Sequence, residues 1–474
     1  MNWKNIFRSI KNSDMRNRIL AVLGIIVVYR FLAHIPVPIA GPTELKTIMS
    51  QSLSSSSFGG FLSLLSGGAL TSFSIMLVGL SPYITASVIT QLLTKAVPRL
   101  EEMHKDGESG RRKINQWTRI ITLPLAILQS IAFIFILRQS VLSGATTTLD
   151  MNMWQWIIAV AAMTAGAMML MWLGEIITEK GIGNGISILI FVGIVSQLPQ
   201  TLGTLGSAIF TPGTGSSADP FHLFNWLSIP FLNNTAVWLT LAMCVIGIAV
   251  LYVLVKINEG QRIITINYAK RVHGNSQYGG VKSILPIKLI TAGVIPVIFA
   301  VAFLALPAFL GQLLVATHWN VGFGQDLILW FQRSGTNTFT TTGGWTQFIY
   351  PFAYFVLVIA FTYFYTSIVF NANEIAENLQ KQGGFIDGVR PGKQTEKYLT
   401  KIVRRLTLFG SLALGLIAIL PFVFEYIFVQ LGLGSAAQNL AIGGTGLLIV
   451  VSVALESLRQ INSRALMVTY DDYK

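Results

Sequence analysis

Apolar residues cover runs of about twenty positions at a time along this chain, and polar, often basic, stretches separate each run from the next. A run of that length lets one helix cross a hydrocarbon core about 30 Å thick, and open sheet edges cannot be left in lipid, so helices are the default. The pattern predicts an all-α polytopic membrane protein with spans at residues 19–39, 72–94, 118–137, 153–173, 183–200, 236–256, 285–311, 348–370, 405–430 and 436–456. Five spans on either side of residues 201–234 give two halves of opposite topology, because an odd number of crossings inverts the second copy. The expected domains are an N-terminal half (1–200), an external linker (201–234) and a C-terminal half (235–474).

Several stretches break the pattern. Ser50 to Ser57 is serine-rich and reads as an external loop. The segment that follows, Phe58 to Leu70 (FGGFLSLLSGGAL), is apolar but too short to cross and carries four glycines. It fits either an interfacial half-helix or a segment dipping into a cavity, since irregular backbone at membrane depth must be covered by protein. Two polar loops are long and charged. In Ile257 to Leu285 the β-branched run Ile263 to Ile266 predicts a short hairpin with Lys270 and Arg271 near its tip. In Asn371 to Lys401, Arg390 sits between the turn residues Gly388 and Pro391-Gly392. These loops read either as solvated, topology-setting charge or as a docking surface.

Charge orients the spans. Of the 33 Lys and Arg residues, 29 fall in the N-terminal arm, in alternate loops and in the C-terminal tail, which leaves Arg30, Lys46, Arg138 and Arg333 elsewhere. Basic loops stay on the cytoplasmic side, so both termini are expected there. The formal net charge of +13 is spread over several loops, which suits anionic lipid headgroups or acidic partners at the membrane face better than a nucleic-acid-binding domain. With Cys244 as the single cysteine, intrachain disulfides and multi-thiolate metal sites are excluded. The run from Ile19 to Tyr29 resembles a signal peptide but continues through Arg30 to Pro36 and Pro38 without a clear cleavage site, so it reads as a retained span.

The chain carries none of the metalloprotease, dithiol, nucleophile-elbow or P-loop motifs, and Gly181 to Gly185 (GIGNG) has the wrong spacing for a dinucleotide turn. No cofactor or enzymatic activity is expected. Glu175, Glu374 and Glu456 lie at span ends and Glu425 near the outer end of its span, which argues against the midplane charges of ion-coupled transport. Arg30 reads as a snorkelling or structurally paired residue. Leu80, Ile84 and Val88 recur every four residues on one helical face, as do Ile186 and Ile190; by itself such a stripe is lipid-facing or helix-packing surface.

The segments SPYITASVITQLLT (Ser81 to Thr94), GESGRRKINQWTR (Gly107 to Arg119), MWLGEIITEKGIGNGISILIF (Met171 to Phe191), INYAKR (Ile266 to Arg271), AGVIPVIFA (Ala292 to Ala300), GVRPGKQTEKYL (Gly388 to Leu399) and GGTGLLIVV (Gly443 to Val451) closely resemble the SecY family, the channel subunits of the bacterial Sec protein translocon. The resemblance implies two five-helix halves around a central pore, and a passive protein-conducting channel in the bacterial cytoplasmic membrane. By motif position it places a pore ring at Leu80, Ile84, Ile186, Ile190, Ile298 and Ile449, and a plug at about residues 58–70. It places a lateral gate between spans 2 and 3 on one side and 7 and 8 on the other, with Thr85 and Gln129 as polar positions and Leu306 opposite. Lys270, Arg271 and Arg390 become the docking residues for the SecA ATPase or the ribosome. SecE and SecG are the implied subunits, and signal sequences and unfolded polypeptides the implied substrates. The competing reading is a secondary transporter built from inverted repeats; its mark would be a charged or ion-coordinating cluster at mid-membrane.

Overall fold

The computed structural model describes residues 13–37, 74–105, 107–142, 153–180, 183–196, 199, 221–223, 227–229, 235–268, 271–273, 276–278, 282–293, 295–317, 320–331, 344–430, 446 and 449–463. In chain order they form α1 (Ser13–Leu32), α2 (Ser81–Ala96), α3 (Pro98–Lys105), α4 (Glu108–Leu142), α5 (Met153–Lys180) and α6 (Gly185–Val195). A small hairpin β1 (Phe221–Leu223) and β2 (Leu227–Ile229) precedes α7 (Thr235–Glu259), β3 (Gln261–Tyr268), β4 (Arg271–His273), β5 (Ser276–Tyr278) and β6 (Lys282–Lys288). Then come α8 (Ile295–Ala316), α9 (Val321–Phe331), a 3-10 turn (Trp345–Phe348), α10 (Ile349–Val369), α11 (Ala372–Lys381), β7 (Gly384–Phe385) and α12 (Lys393–Gln430). A last helical stretch, 449–463, is α13.

The architecture is all-α apart from short extramembrane strands, and a helix overlaps each of the ten predicted spans. Among the described residues five helical stretches are both long and apolar enough to cross a membrane: Arg112–Phe135, Met153–Lys180, Ile295–Val315, Trp345–Lys381 and Lys393–Ile427. Several span boundaries differ from the pattern, and two of the differences have a clear physical reason. The apolar stretch before Leu289, read as the start of a span, is strand β6, and the helix begins at Ile295. At the other end α12 starts at Lys393 rather than near 405, because its charged first turns carry an apolar stripe, Leu399, Ile402 and Val403, that is buried. The segment 58–70 lies outside the described residues.

Contacts group the chain into two compact units. The first takes Met1–Val245, Val301–Tyr350 and Pro421–Lys474; the second takes Ile246–Ala300 and Pro351–Leu420. In the first, an apolar core joins Val37, Leu77, Val78, Phe133, Ile134, Ala159 and Met163. Helix α5 crosses the turn before α2 at backbone distance: a Cβ on Gly166 would meet the Ile75 carbonyl oxygen at 2.1 Å, so only glycine fits. Hydroxyls along the spans bond back to the carbonyl one turn earlier, Thr90 to Ala86 at 2.7 Å, Thr122 to Thr118 at 2.7 Å and Ser130 to Ala126 at 2.7 Å. Each is thereby satisfied without water, as lipid requires.

The second unit carries an extramembrane platform. Strand β3 pairs antiparallel with β6 from Gln261↔Lys288 to Asn267↔Lys282, and on its other side with β7 through Asn267↔Phe385 and Tyr268↔Gly384. The β-branched run therefore forms the predicted hairpin. β4 and β5 make a second, smaller hairpin beyond it. Ile264, Ile266 and Ile287 from the sheet pack with Leu379 of α11, Ile386, and Leu399, Ile402 and Val403 of α12. Asn371 caps α11 by accepting from the Glu374 amide at 3.5 Å.

Candidate functional site

Helix α2 begins abruptly. Gly79 turns the chain with φ +62, Leu80 is the N-cap, and Pro82 occupies the first turn, where its missing N–H costs nothing. The entry is fixed from behind by Ser74, whose hydroxyl accepts from the Met76 amide at 3.1 Å, and by the Ile75 amide donating to the Ile35 carbonyl at 3.0 Å. From this start one face of α2 carries Leu80, Ile84 and Val88, all buried, and the adjoining face carries Ser81 and Thr85, also buried. The stripe that sequence left as lipid-facing or packing surface is thus turned into protein.

Helix α6 is set by a glycine and threonine clasp. A Cβ on Gly185 would lie 1.8 Å from the Gly174 carbonyl oxygen, so α5 and α6 meet backbone to backbone. Thr178 donates to the Gly174 carbonyl at 2.9 Å and accepts from the Gly185 amide at 2.9 Å, while the Asn184 side chain accepts from the Ile186 amide at 3.1 Å. Residues 183–185 therefore make a tight entry that fixes the pitch of α6, and with it Ile186 and Ile190. A Cβ on Gly183 would meet Ile188 at 3.1 Å and Ser457 of α13 at 3.5 Å, so the same corner abuts the last helix.

Of the six expected ring residues, Leu80 (1% exposed), Ile84 (2%), Ile190 (1%) and Ile298 (8%) are buried. Ile186 and Ile449 are half-buried. Leu80, Ile84, Ile186, Ile190 and Ile449 belong to the first unit and Ile298 to the second.

The three residues expected at the lateral gate come together. A cavity of about 20 Å³, roughly the space of one water, is lined by Val78, Ser81 and Thr85 of the α2 region, Gln129 and Phe133 of α4, and Ala302, Ala305, Leu306 and Phe309 of α8. Its walls are largely aliphatic and aromatic, with Ser81, Thr85 and Gln129 as the polar points. Sequence reasoning missed Ser81, although it stands one helical turn before Thr85 on the same face, which was a readable signal. Phe133 and Phe309 carried no such mark, because an apolar residue in a span looks alike whether it faces lipid or a neighbour.

Arg390 is exposed, and its backbone is anchored: its carbonyl accepts from the Thr395 hydroxyl at 2.9 Å, between Gly388 (φ +78) and Gly392 (φ +92). Both glycines adopt the left-handed conformation that side chains disfavour. The backbone of Arg271 lies in β4, and Lys270 lies outside the described residues. Asn267 of β3 donates to Asp387 at 2.7 Å, tying the two predicted docking loops to each other. In α11 the Lys381 ammonium, 2.8 Å from Glu377 and hydrogen-bonded to it, holds that carboxyl below its usual range. Arg119, three turns into α4, pairs with Glu175 in the last turns of α5 at 2.7 Å, and Arg18 of α1 donates to the Lys180 carbonyl at 3.2 Å. Among the described residues no cluster of three or more His, Cys, Asp or Glu could hold a metal ion.

The SecY family model matches residues 74–458. The protein translocase subunit SecY of Mycobacterium tuberculosis is 37% identical over 474 residues, covering 98% of each chain, and that of Corynebacterium glutamicum is 38% identical with the same coverage. A solved protein-conducting channel has a TM-score of 0.55 at 18% identity, covering 93% of this chain and 91% of its own. The Sec61 channel of a canine ribosome–channel complex has a TM-score of 0.51 at 17% identity over the same shares. The matched residues take in α2, the α5–α6 clasp, the platform and the gate-region cavity, and the chain belongs to the SecY family of membrane protein translocase subunits.

Proposed function

We propose that this chain is the protein-conducting subunit of a bacterial translocon, passing unfolded secretory polypeptides across the cytoplasmic membrane and releasing apolar segments sideways into lipid. The observation that carries the reading is that Leu80, Ile84, Ile190 and Ile298, positions the family resemblance gives to the pore ring, are buried rather than turned to lipid. A ring of such side chains offers water and ions no hydrogen-bond partner, so it closes by dewetting, yet its rotamers yield around a moving chain. In this reading Ile186 and Ile449 complete the ring, residues 58–70 form the plug, and the two halves 1–200 and 235–474 hinge about the linker 201–234. Ten crossings leave both termini in the cytoplasm.

Thr85, Gln129 and Leu306 are the gate. An apolar segment of about twenty residues leaves through it because each apolar side chain gains a few tenths of a kcal/mol in lipid. The channel performs no bond chemistry of its own and takes its energy from a cytoplasmic partner, the SecA ATPase or a translating ribosome, docked at Lys270, Arg271 and Arg390. SecE and SecG are its expected subunits, and anionic lipids neutralise its basic loops. The secondary-transporter reading gains nothing from the site, whose polar points are hydroxyls and an amide rather than an ion-coordinating cluster.

The test is conductance and export in reconstituted vesicles. Ile190→Asn and Ile449→Asn put a hydrogen-bonding group into the ring, so resting ion leak rises several-fold and weak signal sequences begin to pass. Unchanged leak together with unchanged signal selectivity overturns the ring assignment.

A further inference from the structure

Helix α9 answers to nothing in the channel reading. Its inner stripe is Gly324, Leu327, Ile328 and Phe331, and it packs on the end of α8 by a reciprocal glycine crossing. A Cβ on Gly311 would meet the Gly324 carbonyl oxygen at 2.8 Å, and a Cβ on Gly324 would meet that of Gly311 at 2.9 Å and Val315 at 2.8 Å. The contact thus falls on the last two turns of a membrane-spanning helix that ends at Ala316. At about 1.5 Å per residue, Gly311 lies within roughly 8 Å of that end, so α9 is held at the depth where acyl chains give way to headgroups.

Large apolar side chains remain uncovered there. Phe323 (51% exposed) and Trp330 (37%) stand seven residues apart on one flank of α9, and Trp345 (90%) opens the 3-10 turn that α9 touches. The lipid-facing side of α8 leads towards them through Phe303 and Leu310, both exposed. Within α9 Gln325 lies on the side opposite Phe323 and Trp330, whereas Asp326, its only charge, stands one turn from each of them at the edge of that flank. Aromatic residues with an amphipathic ring are the side chains that settle at a membrane–water boundary.

We infer that α9 and the following turn form an in-plane anchor, which seats Phe323, Trp330 and Trp345 in the outer-leaflet interface and pins the outer end of α8 to the lipid surface. The occupant of this flank is lipid because the patch continues a lipid-facing span and sits at interfacial depth. It goes beyond the channel reading and does not depend on it.

The test places an environment-sensitive fluorophore on single cysteines in a Cys244→Ser background: Phe323→Cys, Trp330→Cys, Trp345→Cys and, as the outward control, Gln325→Cys. The full-length protein is reconstituted in phosphatidylethanolamine and phosphatidylglycerol vesicles. At the three aromatic positions, shallow nitroxide lipids quench at least about threefold more strongly than aqueous iodide does, and at position 325 the order reverses. Iodide quenching at 323, 330 and 345 equal to that at 325 overturns the anchor. So does protection from both quenchers, which would mean that a second copy or another protein covers the flank. Trp345 lies outside α9, so its label reads the same interface even if a label at 323 or 330 disturbs the helix.

Discussion

At the scale of single residues, the most constrained position near the site is Gly185, whose Cα stands against the Gly174 carbonyl with no room for a methyl group. The obstacle is backbone on both sides, so no rotamer change relieves it. The Thr178 hydroxyl bridges the same corner, donating to one strand of the link and accepting from the other. Gly185→Ala should therefore push α6 away from α5, cost about 1–3 kcal/mol as overpacking does, and lower the thermal midpoint in detergent. Gly247→Ala, where nothing lies within 4 Å of the added carbon, is the matched control and should leave the midpoint within error. If the two variants melt together, the clasp does not hold α6. The motif GIGNG was visible in the sequence, but its reason was not. Glycine spacing says that backbone comes close to something, and only the fold says to what.

Among elements, the two charged loops read as separate in the sequence are one object. β7 has two residues and no periodicity to find, yet it adds to β3 and brings the second loop alongside the hairpin of the first. The hairpin itself was legible, because Ile263 to Ile266 is a β-branched run bounded by polar residues. So was the turn around Arg390, from its flanking glycines and proline. The early start of α12 was not, because Lys393, Lys397 and Lys401 lower the hydropathy of turns whose buried side carries Leu399, Ile402 and Val403. What the platform does for Arg390 is anchor it on both sides: Val389 packs against the core of Ile386, Leu399 and Ile402, and the Arg390 carbonyl accepts from Thr395. An exposed guanidinium on a fixed backbone can meet a carboxylate or phosphate bidentately with little ordering cost. Arg390→Glu should then abolish motor-driven translocation while spans, expression and thermal midpoint stay unchanged, since the side chain is exposed. Translocation driven at the normal rate in vesicles would remove Arg390 from the docking surface.

For the molecule as a whole, the spans were legible because lipid imposes one length and one polarity on every crossing, and the site was legible through the motifs that resemble the SecY family. Thr85 and Gln129, which the family resemblance pointed to, are polar interruptions in otherwise apolar spans and share one cavity with Leu306. The same interruption sets how readily the helices around that cavity part. An apolar wall packs against its neighbours by dispersion alone, whereas the Gln129 amide wants a partner that the aliphatic side of α8 does not offer. Opening towards the pore or admitting a polypeptide supplies water or backbone in its place, so Gln129 favours the open arrangement relative to an aliphatic side chain. Gln129→Leu should stabilise the closed arrangement by about 1 kcal/mol, the scale measured for polar contacts in membrane bundles. That corresponds to roughly a fivefold shift in the closed-to-open ratio. Marginally apolar signal sequences should lose export by about that factor, while strongly apolar ones, whose partitioning exceeds the added cost several times over, should be unaffected. The measurement is export of a graded signal series through the variant and the parent protein. Equal losses across the series would mean that the substitution damages the protein, and no loss at any grade would mean that Gln129 does not control the opening.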